Sequence, residues 1–205
     1  MLPCIITAAG LSKRFEGNKL LFKYDKLPLI IQTINNAVLA KSIDKIIVVT
    51  GYMRSEIEDV IRKTIHDERL IFVHNPEYDK GMSSSIKAGL SYLMETSYNP
   101  EAVMINPGDS AWIPSYVYDY LVYYFEKNRS LITVAGYRGK KGHPILFSKL
   151  LLKELLKIDE SSKGLKKILE KYSLDISIVE TFYPGVLLDF DEYLDYMRVK
   201  NTLMR

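Results

Sequence analysis

One cysteine, one tryptophan and three histidines in 205 residues leave little material for several kinds of chemistry. A lone thiol, Cys4, cannot close an internal disulfide and fits a reducing compartment. It lies inside the apolar run LPCIIT (Leu2–Thr7), the setting of a buried, inert thiol rather than a nucleophile. His66 and His74 have no companions at metal-ligand spacing. No apolar run approaches the ~20 residues that span a bilayer. The opening MLPCIITAAG lacks a basic region ahead of its apolar stretch, so no signal peptide is read there. The expectation is a cytoplasmic protein without a membrane partner. A net charge of +3 is too small to argue for nucleic acid. The lysines between 140 and 171 are interleaved with Glu154, Asp159, Glu160 and Glu170, as on a solvated helix face. No Gly/Ser-rich linker or internal repeat divides the chain, and its length fits one domain over residues 1–205.

What the sequence does have is alternation. Strand-length apolar runs at Leu2–Thr7, Lys45–Thr50, Leu70–His74, Ala102–Asn106 and Leu131–Tyr137 are separated by segments of helical period. Those segments are Leu27–Lys41, Arg54–Ile65, Ser83–Glu95 and Ser115–Lys127. Ser55 and Glu58 stand at capping-box spacing in the second. In the fourth, Val117, Leu121, Tyr124 and Phe125 share one face, a core stripe. After Tyr137 the rhythm changes. YRGKKGHPILF reads as a hairpin or antiparallel excursion, followed by helices at Lys149–Ile158 and Lys163–Tyr172. Strands at Asp175–Glu180 and Gly185–Asp189 and a closing helix over Asp189–Met204 complete the pattern. The expected fold class is α/β, three layers around a mostly parallel, Rossmann-like sheet with a small antiparallel insertion near residues 137–148. In such sheets ligands bind at the carboxyl ends of the strands. The loops after Thr7, Thr50, His74 and Asn106 therefore share one rim.

The first of these loops, AAGLSKRFEGNK (Ala8–Lys19), fits neither the P-loop nor the dinucleotide fingerprint. Its small residues Ala8, Ala9 and Gly10 let backbone N–H groups approach an anion. Ser12 adds a hydroxyl, and Arg14 and Lys19 supply donors suited to phosphate oxygens. Along NPEYDKGMSSSIKAGL, Asn75 leads to Gly81 and then to Ser83, Ser84 and Ser85 at a helix start, where hydroxyls and free N–H groups suit a base edge or an anion. In INPGDSAWIP, Asp109 follows Gly108 just past a strand end, placed to hold Mg²⁺ through one oxygen while triphosphate oxygens complete the shell. Trp112 beside it reads as packing.

The run A-A-G-x-S-x-R-x-x-x-x-K-L-L resembles the signature loop of the nucleotidyltransferases that activate molybdopterin, the molybdenum-cofactor cytidylyltransferases and guanylyltransferases. That family usually reads R-M-G-x-x-K; here Arg14-Phe15-Glu16-Gly17-Asn18-Lys19 keeps the Arg-to-Lys spacing with the glycine one place later. Further stretches are similar in the same order. They are the N-P-x-x-x-x-G-M run from Asn75, Gly108-Asp109 with Ser110-Ala111 in place of the usual following pair, and RGKKGHPILF beside the family's R-G-H-P-[VI]-L-F. The last is DFDEYLDY (Asp189–Tyr196), which keeps both aspartates of the family's D-I-D-T-P-E-D-Y. The resemblance spans essentially the whole chain.

It implies a nucleotide-diphospho-sugar-transferase-like fold and Mg²⁺-dependent transfer of a nucleotidyl group from an NTP to molybdopterin, with release of pyrophosphate. Arg14, Lys19 and Asp109 would be catalytic. The nucleotide would lie against Ala8, Ala9, Gly10, Ser12, Asn75, Gly81, Ser83, Ser84, Ser85 and Gly108. The acceptor would lie against Ser110, Gly142 and His143, with His143 orienting it rather than acting as a base. Asp109, Asp189 and Asp191 would hold the metal. Cytidylyl members usually read A-A-G where guanylyl members read A-G-G, so CTP is favoured here and GTP is the alternative. A molybdenum enzyme receiving the cofactor is the implied protein partner. Two rivals stay open: a related transferase for a sugar phosphate, cobinamide phosphate or methylerythritol phosphate, and a non-catalytic nucleotide-binding chaperone of a molybdenum enzyme.

Overall fold

The computed structural model describes residues 1–12, 15, 17–24, 26–162 and 164–188. The chain opens with strand β1 (Leu2–Ala8) and reaches a two-residue ribbon, β2 (Lys23–Tyr24) against β3 (Leu27–Pro28). Helix α1 (Leu29–Leu39), strand β4 (Ile43–Thr50), helix α2 (Arg54–Thr64) and strand β5 (Leu70–His74) follow. Next come α3 (Met82–Glu95), β6 (Ala102–Pro107) and α4 (Ser115–Asn128). The remainder is β7 (Ile132–Tyr137), β8 (Lys140–Ser148), the short helices α5 (Leu152–Leu155) and α6 (Leu165–Lys171), and β9 (Ile176–Glu180).

Among the described residues one sheet of seven strands runs in the order β5-β4-β1-β6-β8-β7-β9. β1 pairs in parallel with β4 and β6, β4 with β5, and β7 with β9; β8 alone runs against its neighbours β6 and β7. The expected α/β class, with one antiparallel excursion, is the observed one. Strand alternation divides the apolar residues between two faces. Cys4, Ile6 and Ala8 join the core under α1, α2 and α4, with Ile30, Ile34, Ile57 and Leu121. Ile5, Ile47 and Val49 join the opposite core under α3, α5 and α6, with Ile86, Leu155 and Ile168. The unbroken run Ile46–Val49 is buried throughout because both faces of the sheet are covered. Val117, Leu121 and Phe125 are buried as the stripe predicts, and so is the single thiol, whose pKa burial pushes up.

Several local readings are corrected. The first long helix begins at Leu29 rather than Leu27, because Leu27 and Pro28 pair with β2. The capping box does not form. The N-cap of α2 is Met53, with no side-chain cap, and Glu58 instead accepts from Thr50 Oγ1 at 2.7 Å and Arg54 Nε at 2.8 Å. Residues 149–151 form a 3-10 turn ahead of the short α5, in place of one helix to Ile158. Gly185 lies in a 3-10 turn, Pro184–Leu187, and not in a strand. Its carbonyl, which a ladder would need, accepts from Trp112 Nε1 at 2.7 Å and from the Leu188 amide at 3.1 Å. The closing helix expected over 189–204 lies outside the described residues. Among the described residues no helix is long and apolar enough to cross a membrane.

Candidate active site

The chain turns from β1 outward to β4 and β5 on one side and reaches β6 on the other, so β1 and β6 end side by side at a switch in strand order, where an α/β sheet opens a crevice. The two ends are locked together. The Gly108 amide donates to the Thr7 carbonyl at 3.0 Å. A Cβ at position 108 would stand 2.9 Å from that same oxygen, closer than side chains come to backbone, so the position takes only glycine. From α1, Thr33 Oγ1 donates to the Gly108 carbonyl at 2.9 Å and Asn36 Nδ2 to the Ala111 carbonyl at 2.9 Å. These bonds fix the turn that carries Asp109.

The first loop is folded back toward that turn. Ser12 adopts a left-handed conformation (φ 49°), and its Oγ accepts from the Lys19 amide at 3.2 Å. Asn18 Oδ1 accepts from the Leu20 amide at 3.0 Å and caps the 3-10 turn Lys19–Leu21. The Lys19 ammonium thereby comes to 2.5 Å from Asp109 Oδ2, with side chains 22% and 15% exposed. This pair stands in the wall of a cavity of about 560 Å³.

Ala9, Gly10, Ser12, Lys19, Gly81, Ser85, Asp109 and His143, all singled out in the sequence, line that cavity together. The methyl of Ala9 has a built place: a Cβ at position 51 would stand 2.8 Å from Ala9 Cβ and 2.5 Å from Tyr78 Cβ, so Gly51 makes room for both. The other residues stand behind the wall. Ala8 and Gly108 belong to the strand ends. Asn75 is buried and donates through Nδ2 to Ser84 Oγ (2.8 Å) and Ser85 Oγ (3.1 Å), tying the end of β5 to the start of α3. Ser84 Oγ donates to the Gly81 carbonyl at 2.7 Å. Both the amide and the hydroxyl of Ser83 donate to Glu160 Oε1, at 2.7 and 2.9 Å, so a carboxylate of the protein already occupies this helix start. Ser110 is buried beneath the Asp109 turn, its amide donating to the Pro107 carbonyl at 3.3 Å. Gly142 is pressed under the 3-10 turn, where a Cβ would stand 2.0 Å from the Val186 carbonyl oxygen. Arg14, Asp189 and Asp191 lie outside the described residues. Among the described residues no group of three His, Cys, Asp or Glu side chains is gathered to hold a metal.

Sequence reasoning missed Leu11, Leu20, Tyr78, Asp79 and Met82, which also line the cavity. Tyr78, Asp79 and Met82 sit in or beside the stretch between Asn75 and Gly81, where their nearness to two assigned residues was the available signal. Chemically, the cavity brings together an ammonium, a carboxylate and the exposed loop backbone at Gly10. That combination suits a polyanion accompanied by a hard cation. The Tyr78–Met82 stretch offers an aromatic ring, the Asp79 carboxylate and a thioether, with the Ser85 hydroxyl beside them, which suits a flat group that donates hydrogen bonds.

The sequence profile of the MobA-like NTP transferase domain matches residues 4–176. The molybdenum cofactor cytidylyltransferase of Escherichia coli (strain K12) is 27% identical, over 97% of this chain and 95% of that one. A probable molybdenum cofactor guanylyltransferase of Thermococcus sibiricus is 24% identical, over 69% of this chain and 65% of its own. Among solved structures, the manganese complex of Rv0371C from Mycobacterium tuberculosis H37Rv shares the fold, with a TM-score of 0.76 at 20% identity over 98% of both chains. The matched profile takes in both the loop that presents Lys19 and the turn that presents Asp109, and the chain belongs to the MobA-like NTP transferase family of nucleotidyltransferases.

Proposed function

We propose that this nucleotidyltransferase moves a nucleoside monophosphate, with CTP as the favoured donor, onto the terminal phosphate of a molybdopterin-type acceptor. The observation that carries the reading is the Lys19–Asp109 pair in the cavity wall, at the meeting of β1 and β6. An acceptor phosphate oxygen attacks the α-phosphorus in line. The new P–O bond forms as the bond to the β-phosphate oxygen breaks, and pyrophosphate leaves. That nucleophile is already ionised at neutral pH and needs no base. Catalysis is then a matter of position and charge. Lys19, Arg14 and the loop amides offset charge on the triphosphate. His143 faces the cavity from β8 and orients the acceptor; Ser110 and Gly142 shape the wall behind it.

The residues present fit a divalent cation: Asp109 offers a hard oxygen donor, and the Lys19 ammonium already rests on it as a stand-in positive charge. Asp109, with Asp189 or Asp191, would hold Mg²⁺, which supplies a template and a charge sink for the triphosphate. A molybdenum enzyme would receive the product.

The test is pyrophosphate release from CTP, GTP, ATP and UTP with Mg²⁺, each with molybdopterin, a sugar 1-phosphate or methylerythritol phosphate as acceptor. Release with CTP and molybdopterin is expected. Release with a sugar phosphate alone would replace the acceptor class. Nucleotide binding without release under any pairing would leave a nucleotide-binding chaperone.

A further inference from the structure

The ion pair between Lys19 and Asp109 has a consequence for the order in which ligands bind. We propose that Lys19 is a placeholder cation: without nucleotide it neutralises the carboxylate that the metal needs, and the triphosphate frees that carboxylate by drawing the ammonium away. This rests on the metal assignment to Asp109 made above.

A metal on either oxygen of Asp109 would stand within a few ångströms of the ammonium. Lys19 Nζ lies 2.5 Å from Asp109 Oδ2. A Mg²⁺ ion bonds oxygen at roughly 2.0–2.1 Å. A monovalent and a divalent cation cannot share one oxygen at such distances, in a partly buried site, without strong mutual repulsion. The backbone on both sides is held. Ser12 Oγ anchors the Lys19 amide, and the bonds from α1 and from Thr7 anchor the Asp109 turn. The partners can separate by motion of the lysine side chain alone, which is four carbons long and 22% exposed. The same cavity is lined by Gly10 and Ser12, where phosphate oxygens would offer the ammonium a replacement partner of higher charge.

Two results follow. The nucleotide-free protein binds a divalent cation weakly, because the metal must displace Lys19 without compensation. Metal and nucleotide also favour each other's binding beyond their affinity in solution, by equal factors in both directions, as linkage requires. Lys19 is then a positioning residue for the metal as well as a ligand for phosphate.

The experiment reads Mn²⁺ binding to nucleotide-free protein by loss of the free-ion electron paramagnetic resonance signal, which needs no turnover. Lys19→Met is expected to bind Mn²⁺ at least about tenfold more tightly than wild type. Lys19→Arg keeps a cation at the site and stays as weak as wild type. Lys23→Met removes the same charge at an exposed position on β2, and its affinity is expected to stay within about twofold of wild type. Equal affinity in wild type and Lys19→Met overturns the placeholder role. A gain in Lys23→Met as large as in Lys19→Met overturns it too, since net charge alone would then account for the effect. The metal assignment fails separately, if the tighter binding of Lys19→Met survives addition of Asp109→Asn.

Discussion

Asp109 gains its position from bonds that no local pattern announces. Its place just beyond a strand end, after a glycine, was legible in the sequence, because the rule that α/β sheets bind at strand carboxyl ends needs only the strand boundary. The clamp on its turn was not. Thr33 and Asn36 act across 75 residues, and both are ordinary polar residues within a helical pattern. Lys19 was legible by its spacing from Arg14, whereas its contact with Asp109 depends on the left-handed turn at Ser12, for which a serine is not a signal. Asp109→Ala is expected to lower turnover by at least about 10²–10³-fold, the scale of losing one preorganised electrostatic group. The melting temperature should change little, because the Gly108 and Ala111 bonds that hold the turn remain. Full activity in that variant would remove Asp109 from the site. Ala9 makes a second prediction. Ala9 lines the cavity, and its buried methyl rests against the space left by Gly51. Ala9→Gly removes that methyl and is expected to shift the CTP:GTP ratio of kcat/KM toward GTP by about tenfold, the low end of the range for one carbon in a pocket. An unchanged ratio would sink the steric account of nucleotide choice.

At the scale of elements, strands were the most legible part of the chain, and helix starts the least. β1, β4, β5, β6 and β7 fall within two residues of their expected bounds because each is written as a short apolar run, in the buried strands and in the half-buried edge strand β5 alike. The start of α2 was misread because Ser55 and Glu58 have the right spacing, but Thr50 and Arg54 compete for the same carboxylate and win. The start of α3 holds a contact that the sequence does not announce. Its serines looked open to a ligand, and the carboxylate that satisfies Ser83 comes from Glu160, 77 residues away. This contact also explains Gly81, which has φ +91° and whose Cβ would stand 2.4 Å from Glu160 Cγ. Glu160 accepts two bonds at a helix N-terminus, so Glu160→Ala should destabilise the protein by about 1 kcal/mol. For a chain of this size that is roughly 2–4 °C. Gly81→Ala meets both the strained φ and the Glu160 side chain and should cost more. In the double variant Glu160→Ala, Gly81→Ala the steric part disappears, so the two losses should sum to more than the double variant shows. Strict additivity, read from urea unfolding of the four proteins, would show that the contact does not limit the position.

Across the whole molecule, β4 is pinned at both ends by charge. At its carboxyl end Glu58 is almost fully buried. Burial works to raise its pKa, but hydrogen bonds from Thr50 and Arg54, the charge of Arg54 and the Arg62 contact outweigh it and hold the carboxyl below its usual range. At the other end Arg69 donates to the carbonyls of Val38 and Ile43, joining α1 to β4. Its partner Asp67 is held below its usual range, chiefly by the hydrogen bond from Arg69. For both acids the folded value lies below the unfolded one, so the unfolded chain takes up protons first as the pH falls. Their stabilisation is complete above the ordinary carboxylate values of about 4 and is lost as the pH drops through the lower, folded values. The melting temperature should therefore be level near neutrality and fall steeply below about pH 4. Glu58→Gln leaves Arg54 without its charged partner and should cost about 1–3 kcal/mol at pH 7. It also removes one of the carboxyls held below the usual range, so its curve should be shallower than wild type in acid and the two should converge toward pH 3. Curves that stay parallel from pH 7 to pH 3 would mean that Glu58 does not carry the acid dependence, leaving it to Asp67 and the more exposed carboxyls that lysines and hydroxyls hold low, Glu77, Glu101, Glu154 and Asp159.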